Sequence, residues 1–376
     1  MKIFFYLPNL VSGGAEKMII ALANEMAENN YNVTLVVGVI EGDFKNDILK
    51  CVTIIELGVA SILKSSITLF KVVKKEKPDI LCVTKCHINT VVSLFTPFLK
   101  ETKVVLREAN TPSVEYMYSG FYGRFILKIG KFTYKLANSF VAVSKGVSHD
   151  MIGFYGLKKE RVKIIYNPVI SSELFSQAQE EVEHRFFEER KNNKGIYVFL
   201  AIGRLMRQKD YSTMIEAFNV AYTKNDNIRL IILGRVEKTS LDYNLLRDKI
   251  EKYGLIDAID YVGFVNNPFK YLSRVDCFLQ TSLFEGLPGA LVQALALKKN
   301  IIATNCKSGP EEILDHGKYG TLVEIKNIKQ IGFEILEYSR GKTNLNAQNH
   351  VMDRYTSKTS IQSYIELFED LINKQR

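Results

Sequence analysis

The sequence has no hydrophobic run that is long enough to cross a lipid bilayer. A membrane-spanning helix needs roughly 18 or more apolar residues in a row, and the N-terminal run Ile3 to Leu7 stops at Pro8. That run is also too short for the apolar core of a secretory signal peptide. We therefore expect a protein that stays in the cytoplasm.

Cysteine is scarce, and its spacing forms no pairs. Cys82 and Cys86 lie near His87, but no second group of metal-ligating residues accompanies them. This pattern favours buried or incidental thiols over a zinc site. We expect neither a metal centre nor a disulfide. The five cysteines are Cys51, Cys82, Cys86, Cys277 and Cys306.

The chain has 376 residues, which suits two domains of roughly 150–200 residues each. Its net charge of +9 is concentrated in the first part. Residues 1–170 hold 22 Lys and Arg against 14 Asp and Glu, whereas residues 171–376 hold 28 against 27. Such an excess attracts anionic lipid, phosphorylated ligands or nucleic acid, and does not choose among them.

Strand and helix patterns alternate along both halves of the chain. The first half opens with a strand at residues 2–7, a glycine loop and a helix, and further strands follow near 32–40, 79–84, 103–106 and 139–144. A second alternating series begins after the charged stretch 177–195. Alternation of this kind predicts an α/β fold with parallel sheets, whose ligands bind at the carboxyl ends of the strands. The closing segment, Tyr355 to Lys374, reads as one amphipathic helix.

Several polar or small residues of the first half fall on predicted strand-end loops, where ligands bind in this class of fold. These residues are Gly13, Gly14, His87, Arg107, Glu108 and Ser144.

The segment from Val114 to Leu136 is rich in aromatic and basic residues and has almost no acid after Glu115. One interpretation is a pair of packed helices with lysine stems lying over them. The other is a surface that binds an anionic membrane or a lipid-linked acceptor. No nucleic-acid motif accompanies the segment, so we do not expect nucleic acid as a partner.

The stretch from Thr281 to Gln293 joins a buried strand to a helix through a Gly-Leu-Pro-Gly turn. Free N–H groups in the first turn of a helix attract anions and hydroxyl groups. Glu285 stands in this turn, and Gln293 follows about two helical turns later, so both side chains could face one ligand. The alternative is that Glu285 and Gln293 are ordinary surface residues with no common ligand.

The loop GRLMRQKD, from Gly203 to Asp210, places Arg204 and Lys209 between a strand end and a helix. Two cations and a helix N-terminus can neutralise a diphosphate without a metal ion. The alternative is a solvated basic loop. The chain has no Asp-x-Asp pair, with which many metal-dependent sugar transferases hold a metal–diphosphate, and this agrees with a cationic substitute.

Together these stretches resemble the retaining nucleotide-sugar glycosyltransferases of family 4. The resemblance rests on SGGAEK, YNPV, GRLMRQKD, LFEGLPGALVQALAL and SGPEEIL, which occur in this order along nearly the whole chain. It implies the GT-B fold, in which two Rossmann-like, doubly wound domains face each other across a cleft and the C-terminal helix crosses back to the N-terminal domain. The acceptor-binding domain would be residues 1–168 plus 357–376, and the nucleotide-sugar-binding domain residues 169–356.

The resemblance also implies roles for single residues. Arg204 and Lys209 would bind the donor diphosphate. Glu285, with the following amides of Gly286 and Leu287, would hold the donor sugar. Gln293 would bind the ribose hydroxyls, and the pair Gly13 and Gly14 would let the backbone approach the phosphates. Further candidates for donor binding are Gly203, Arg235 and Val265.

This chain departs from the family pattern at three places. Gln293 replaces a second Glu, so its hydrogen bonds lack charge assistance. Arg107-Glu108 replaces a common His-Asp, which leaves the catalytic-loop role open among Arg107, Glu108 and His87. Arg235 follows a strand where Gly-x-Gly is common, and it could line the base or phosphate pocket.

The function that the resemblance implies is transfer of a hexose or N-acetylhexosamine from a nucleotide-diphosphate sugar, such as a UDP-sugar, with retention of configuration. The acceptor would be a lipid-linked saccharide or glycan in capsule or lipopolysaccharide synthesis, at the inner face of the cell membrane. No metal or other cofactor is expected, and the oligomeric state is left open. The alternatives are a nucleotide-sugar epimerase or phosphorylase on the same scaffold, and a non-catalytic binding protein.

Overall fold

The computed structural model describes residues 1–11, 13–236 and 241–374, apart from the side chains of Asp43 and Leu241. The chain forms two compact units. Unit 1 comprises Met1–Val169 and Arg354–Arg376, and unit 2 comprises Ile170–Asp353. Each unit has its own sheet, and each is described by itself below. No helix in the described ranges is long and apolar enough to cross a membrane.

The sheet of unit 1 has seven parallel strands in the order β3-β2-β1-β4-β5-β6-β7. The order reverses between β1 and β4, which is the point at which doubly wound sheets bind ligands. The strands are β1 (Lys2–Leu7), β2 (Asn32–Val37), β3 (Thr53–Glu56), β4 (Ile80–Thr84), β5 (Lys103–Glu108), β6 (Ser139–Ala142) and β7 (Val162–Ile164).

Helices connect these strands and cover the sheet. Ser144 caps α6, because its hydroxyl accepts a hydrogen bond from the backbone N–H of Val147, and Gly156 ends that helix with a left-handed φ of 63°. The helices of the first part are α1 (Gly14–Glu28), α2 (Ile62–Glu76), α3 (Cys86–Phe95), α4 (Pro112–Tyr118), α5 (Phe121–Thr133) and α6 (Lys145–Tyr155). Short 3₁₀ helices occupy Asp43–Asp47, Thr96–Phe98, Tyr134–Leu136 and Lys159–Arg161.

The sheet of unit 2 has six parallel strands in the order β10-β9-β8-β11-β12-β13. The strands are β8 (Tyr197–Ile202), β9 (Ile228–Leu233), β10 (Ile259–Gly263), β11 (Cys277–Gln280), β12 (Asn300–Thr304) and β13 (Thr321–Val323). Its order also reverses at the centre, between β8 and β11. The carboxyl ends of these two strands therefore carry the loops of interest.

The helices of unit 2 are α7 (Leu174–Gln179), α8 (Arg185–Asn192), α9 (Tyr211–Tyr222), α10 (Leu241–Lys252), α11 (Phe269–Leu272), α12 (Gly289–Ala296), α13 (Pro310–Ile313), α14 (Ile328–Ser339) and α15 (Gln348–Met352). A 3₁₀ helix occupies Arg207–Lys209. The charged stretch 177–195 contains α8, whose Arg190 pairs with Asp276 at 2.9 Å. That stretch is therefore part of the folded unit.

The last helix, α16 (Ser357–Asn373), packs in the core of unit 1. Its buried residues Ile361, Tyr364 and Phe368 belong to the same apolar cluster as α1. The hydroxyl of Ser360 donates to the carbonyl of Tyr166 at 2.6 Å, which ties the helix to the end of the first part of the chain. The expected return of the C-terminal helix is confirmed.

Two predicted placements are wrong. His87 lies in the first turn of α3 and not in a loop, because apolar residues at helical spacing follow β4 directly. Arg107 and Glu108 are the last two residues of β5 and not part of a loop. They stay extended because β6 pairs with them, Arg107 with Val141 and Glu108 with Ala142.

Candidate active site

The residues that lead into the Gly-Leu-Pro-Gly turn of unit 2 are hydrogen-bonded to the basic loop before α9. The hydroxyl of Thr281 donates to the carbonyls of Lys209 at 2.9 Å and Asp210 at 3.1 Å. The N–H of Leu283 donates to the carbonyl of Gln208 at 2.8 Å, and the Gln208 amide donates back to the carbonyl of Phe284 at 2.8 Å. The two stretches that the sequence singled out therefore form one structure.

Lys209 and Glu285 meet where these two stretches touch. Lys209 Nζ lies 2.5 Å from Glu285 Oε1, and the Ser282 hydroxyl donates to the same oxygen at 2.7 Å. The Lys209 side chain is 21% exposed and the Glu285 side chain 8%. Because both charges are largely out of water, their attraction is stronger than that of a surface pair. This is a fixed pair of opposite charges at the carboxyl ends of β8 and β11.

Close backbone packing holds Lys209 in this position. Its aliphatic stem lies over Gly203, where a Cβ would be 3.0 Å from Lys209 Cε. Gly203 itself lies against Gly234, at which a Cβ would be 1.8 Å from the Gly203 carbonyl oxygen. The Tyr211 hydroxyl donates to that carbonyl at 2.7 Å, and burial raises the pKa of this phenol, so it stays protonated. Glycine is required here because the ends of β8 and β9 pass at backbone distance.

The loop that carries SGPEEIL supports the turn from its other side. Gly309 has a left-handed φ of 97°, and a Cβ there would lie 2.5 Å from Pro288 Cδ. The N–H of Glu285 donates to the carbonyl of Lys307 at 3.3 Å. Glu285 is therefore held by backbone as well as by side-chain bonds.

The remaining donor-side candidates also lie in unit 2. Gly286 and Leu287 are buried in the turn, and Gln293 is half-buried on α12, the helix that begins directly after it. Arg204 is exposed, and Val265 lies half-buried just past the end of β10. The Arg235 guanidinium lies 5.3 Å from the ring of Phe264, an exposed aromatic that sequence reasoning missed. An aromatic directly after a strand-end glycine was the available signal.

In unit 1, the glycine loop lies at the point where the strand order reverses. Gly13 precedes α1 with an extended φ of −164°, and Gly14 begins the helix with open space at its Cβ position. Glu16, in the first turn, is buried and forms an ion pair with Lys85, which has a left-handed φ of 81° just after β4. The structure thus brings together Glu16 and Lys85, which were not among the predicted site residues. The sequence signals for this pair were a Glu inside SGGAEK and a Lys directly after a predicted strand.

Arg107 is fully buried. Its guanidinium donates to the Thr84 hydroxyl at 2.8 Å and to the Asn167 side-chain oxygen at 2.6 Å. These bonds join β5 to β4 and to the segment after β7. The placement fits a structural role for Arg107 better than contact with a ligand.

Glu108 is also buried, and it accepts hydrogen bonds from the Asn89 amide at 2.9 Å and from the Tyr134 hydroxyl. Burial, with a smaller contribution from the nearby Glu115 carboxylate, raises the pKa of Glu108 to about 8. At neutral pH this carboxyl is therefore mostly protonated. His87 is the only half-buried member of the three catalytic-loop candidates, the other two being fully buried.

Comparison with known proteins bears on the whole chain. A family model described as Glycosyltransferase Family 4 matches residues 12–173, and one described as Glycosyl transferases group 1 matches residues 182–358. An uncharacterized glycosyltransferase of Methanocaldococcus jannaschii is 31% identical over 284 residues, which cover 70% of this chain and 68% of that protein. The chain belongs to the family 4 glycosyltransferases.

Two further proteins resemble the chain at lower identity. A Campylobacter jejuni protein named N-acetylgalactosamine-N,N'-diacetylbacillosaminyl-diphospho-undecaprenol 4-alpha-N-acetylgalactosaminyltransferase is 28% identical over 64% of this chain and 61% of its own length. The crystal structure of Anabaena HepE in complex with UDP and glucose has a TM-score of 0.78 at 19% identity, covering 98% of this chain and 100% of that one. This likeness confirms the expected fold class of two Rossmann-like domains.

The packing of Gly234 on Gly203 gives a testable prediction for this glycosyltransferase. Gly234→Ala places a methyl group inside the contact distance of a backbone oxygen, so we expect the free energy of unfolding to fall by about 1–3 kcal/mol. Gly153→Ala is the control, because Gly153 lies within α6 with nothing within 4 Å of its Cβ position. It should stabilise by about 0.5–1 kcal/mol. Urea denaturation measures both, and equal stability of the two variants would contradict the packing argument.

Proposed function

We propose that this glycosyltransferase moves a hexose or an N-acetylhexosamine from a UDP-sugar to a lipid-linked saccharide or glycan, with retention of configuration and without a metal ion. The observation that carries the proposal is the Lys209–Glu285 pair, held by the bonds between the turn and the basic loop. Support for the partners comes from relatives: one is named for a diphospho-undecaprenol acceptor, and HepE was crystallised with UDP and glucose. The pathway would be capsule or lipopolysaccharide synthesis, since another relative is a Staphylococcus aureus capsular polysaccharide biosynthesis glycosyltransferase.

The donor diphosphate would bind in unit 2 at Arg204 and Lys209. A diphosphate carries more negative charge than one carboxylate, so Lys209 can turn from Glu285 toward the phosphate oxygens when the donor arrives. Glu285 is then left to accept hydrogen bonds from the sugar hydroxyls. The Lys209–Glu285 ion pair would in this way hold in place both the cation that binds the diphosphate and the carboxylate that binds the sugar.

The transfer step needs no nucleophile from the protein. The acceptor oxygen forms its bond to the anomeric carbon on the face from which the diphosphate leaves, and the bond from that carbon to the diphosphate oxygen breaks. The departing oxygen takes the proton of the acceptor hydroxyl. Negative charge develops on the diphosphate during this step, so fixed cations at Arg204 and Lys209 would lower the barrier.

The acceptor would bind in unit 1 near the reversal of strand order. Lys85 offers a cation there, with a side chain that is 40% exposed. Gly13 and Gly14 would keep the donor role that the resemblance implies and let the backbone approach the phosphates. Of the three catalytic-loop candidates, His87 is the one whose side chain reaches solvent, so we assign it to acceptor positioning.

We also propose that α5 seats the protein on the inner face of an anionic membrane. Phe121 is 92% exposed and Phe132 80%, while Leu127 is buried and anchors the helix. Tyr122 and Phe125 are exposed as well. A helix that presents aromatic rings to solvent has the composition of an interfacial helix. The interpretation of this segment as a pair of ordinary packed helices would bury Tyr118, Phe121 and Phe125, but all three are exposed, so that interpretation is wrong for them.

Cations surround these rings. The exposed basic residues on and after α5 are Arg124, Lys128, Lys131 and Lys135. Each Lys or Arg near an anionic surface contributes roughly 1 kcal/mol, and the aromatic rings add apolar burial. Several such contacts are enough for reversible binding at the surface where a polyprenyl-linked acceptor is found.

The first prediction from this proposal concerns metal independence. UDP release should require both donor and acceptor and should survive EDTA, because Arg204 and Lys209 take the place of a metal. Arg204→Ala and Lys209→Ala should each lower the rate at least tenfold with the fold intact, since a charge-assisted bond contributes about 1.5–3 kcal/mol. A screen of UDP-sugars with a lipid-linked acceptor measures the rate. Full loss of activity in EDTA that magnesium or manganese restores would overturn the proposal, and UDP release without an acceptor would favour a different reaction.

A second prediction separates the sugar contact from the ribose contact. Glu285→Gln should reduce turnover at least tenfold without weakening UDP binding, because it removes the sugar-binding charge and frees Lys209 for phosphate. Gln293→Ala should weaken UDP binding by up to about tenfold, the effect of one or two neutral hydrogen bonds. Isothermal calorimetry with UDP decides between them. The same loss of affinity in both variants would show that the roles are misassigned.

A third prediction tests the membrane surface. In liposome sedimentation the protein should bind anionic vesicles and not neutral ones, and salt should reduce the binding. Replacing Arg124, Lys128 and Lys131 with Glu should abolish it, since the local charge changes sign.

A charge-matched control comes from unit 2, where Lys224, Lys252 and Lys329 are exposed. Replacing these three with Glu changes the net charge by the same amount away from α5. If the folded α5 variant sediments as well as the parent, or if both triple variants lose binding equally, α5 is not the membrane seat.

A further inference from the structure

Cys86, His87 and Glu115 form a compact cluster in unit 1. Cys86 Sγ lies 3.3 Å from His87 Nδ1 and is hydrogen-bonded to the Glu115 carboxylate. One ligand atom from each residue lies within 4.8 Å of the other two. The sequence separates Glu115 from the other two, and the fold brings it to them, because α4 begins close to the first turn of α3.

The cluster lacks a cationic partner among the described residues. Neither Glu115 nor the neighbouring Glu108 forms an ion pair with a Lys, Arg or His that the structure describes, and the nearby Glu115 carboxylate contributes to raising the pKa of Glu108. The nearby Arg107 guanidinium is bonded to Thr84 and Asn167 instead. A cation bound between the thiol, the imidazole and the carboxylate would supply the charge that this place lacks.

We propose that Cys86, His87 and Glu115 bind a soft divalent cation such as Zn²⁺. One sulfur, one imidazole nitrogen and one carboxylate oxygen are ligands that Zn²⁺ takes, and three protein ligands with an open fourth position are a common zinc arrangement. Zinc–ligand bonds of about 2.0–2.3 Å at tetrahedral angles separate ligand atoms by roughly 3.4–3.6 Å. The Sγ–Nδ1 separation of 3.3 Å already fits. The hydrogen-bonded contact between the Cys86 sulfur and the Glu115 carboxylate would have to lengthen to this range, and the separation between the His87 nitrogen and the carboxylate, at most 4.8 Å, would have to shorten to it.

The ligand types also select among ions. A thiolate sulfur disfavours magnesium and calcium, which prefer oxygen ligands. Binding exchanges the thiol proton of Cys86 for the metal ion and leaves the His87 proton on Nε2. The site lies in unit 1, whereas the residues proposed for the donor diphosphate lie in unit 2, so this inference is independent of how the donor is held.

Cobalt substitution tests the site without any substrate. Chelator-treated full-length protein is titrated with Co²⁺, and a thiolate-to-cobalt charge-transfer band in the near ultraviolet should saturate at one equivalent per chain and disappear when Zn²⁺ is added. Cys86→Ser should remove the band, and Glu115→Gln should weaken Co²⁺ binding at least tenfold. Zn²⁺ should raise the melting temperature of the parent and not that of Cys86→Ser.

Two controls isolate the cluster. Cys51 is an exposed thiol, so Cys51→Ser removes the main adventitious ligand and should leave the band unchanged. Glu101→Gln removes an exposed carboxylate elsewhere in unit 1 and should leave Co²⁺ affinity unchanged. The absence of a charge-transfer band in the parent would overturn the proposal. A band that survives Cys86→Ser, or equal affinity of Glu115→Gln and Glu101→Gln, would do so as well.

Discussion

The candidate donor site of this glycosyltransferase depends on one close backbone contact, the approach of Gly234 to the carbonyl of Gly203. Because neither residue has a side chain, the ends of β8 and β9 can pass at a distance that a single methyl group would forbid. The Lys209 stem rests on Gly203, and its amino group reaches Glu285 from that position. The basic loop, the turn and the SGPEEIL loop then add hydrogen bonds around a geometry that the two glycines already define.

Buried charges in this protein are held in two different ways. In unit 2 a largely buried lysine faces a largely buried carboxylate, so the pair can separate when a ligand with greater charge replaces one partner. In unit 1 the buried Arg107 is held by neutral oxygens, and the buried Glu108 is neutral because its pKa is raised to about 8. A charge that is held by neutral hydrogen-bond partners, like Arg107, stabilises the end of a sheet. An ion pair, like Lys209–Glu285, can separate when a ligand binds.

The sequence predicts those parts of the fold and site that depend on local pattern. The alternation of strand and helix patterns predicts both sheets, and the amphipathic pattern of the last segment predicts α16. The position of Arg204, Lys209 and Glu285 after strand ends follows from the alternation. The parts of the fold and site that the sequence does not predict depend on contacts between residues far apart in the chain. Arg107 and Glu108 look like loop residues until pairing with β6 extends β5 through them. Phe121 and Leu127 look alike in sequence, yet only the packing of α5 shows which is exposed and which is buried.

The same distinction explains why Cys86 and His87 read as incidental in the sequence. Adjacent ligands on one helix turn cannot enclose an ion, and a third ligand 28 residues away has no local signature. Long-range convergence also formed the pair Glu16 and Lys85, which joins the first turn of α1 to the end of β4. In a doubly wound sheet the carboxyl ends of neighbouring strands meet, whatever their distance in sequence. The adjacency of strand ends, and not the distance along the chain, therefore decides why Glu16 and Lys85 meet.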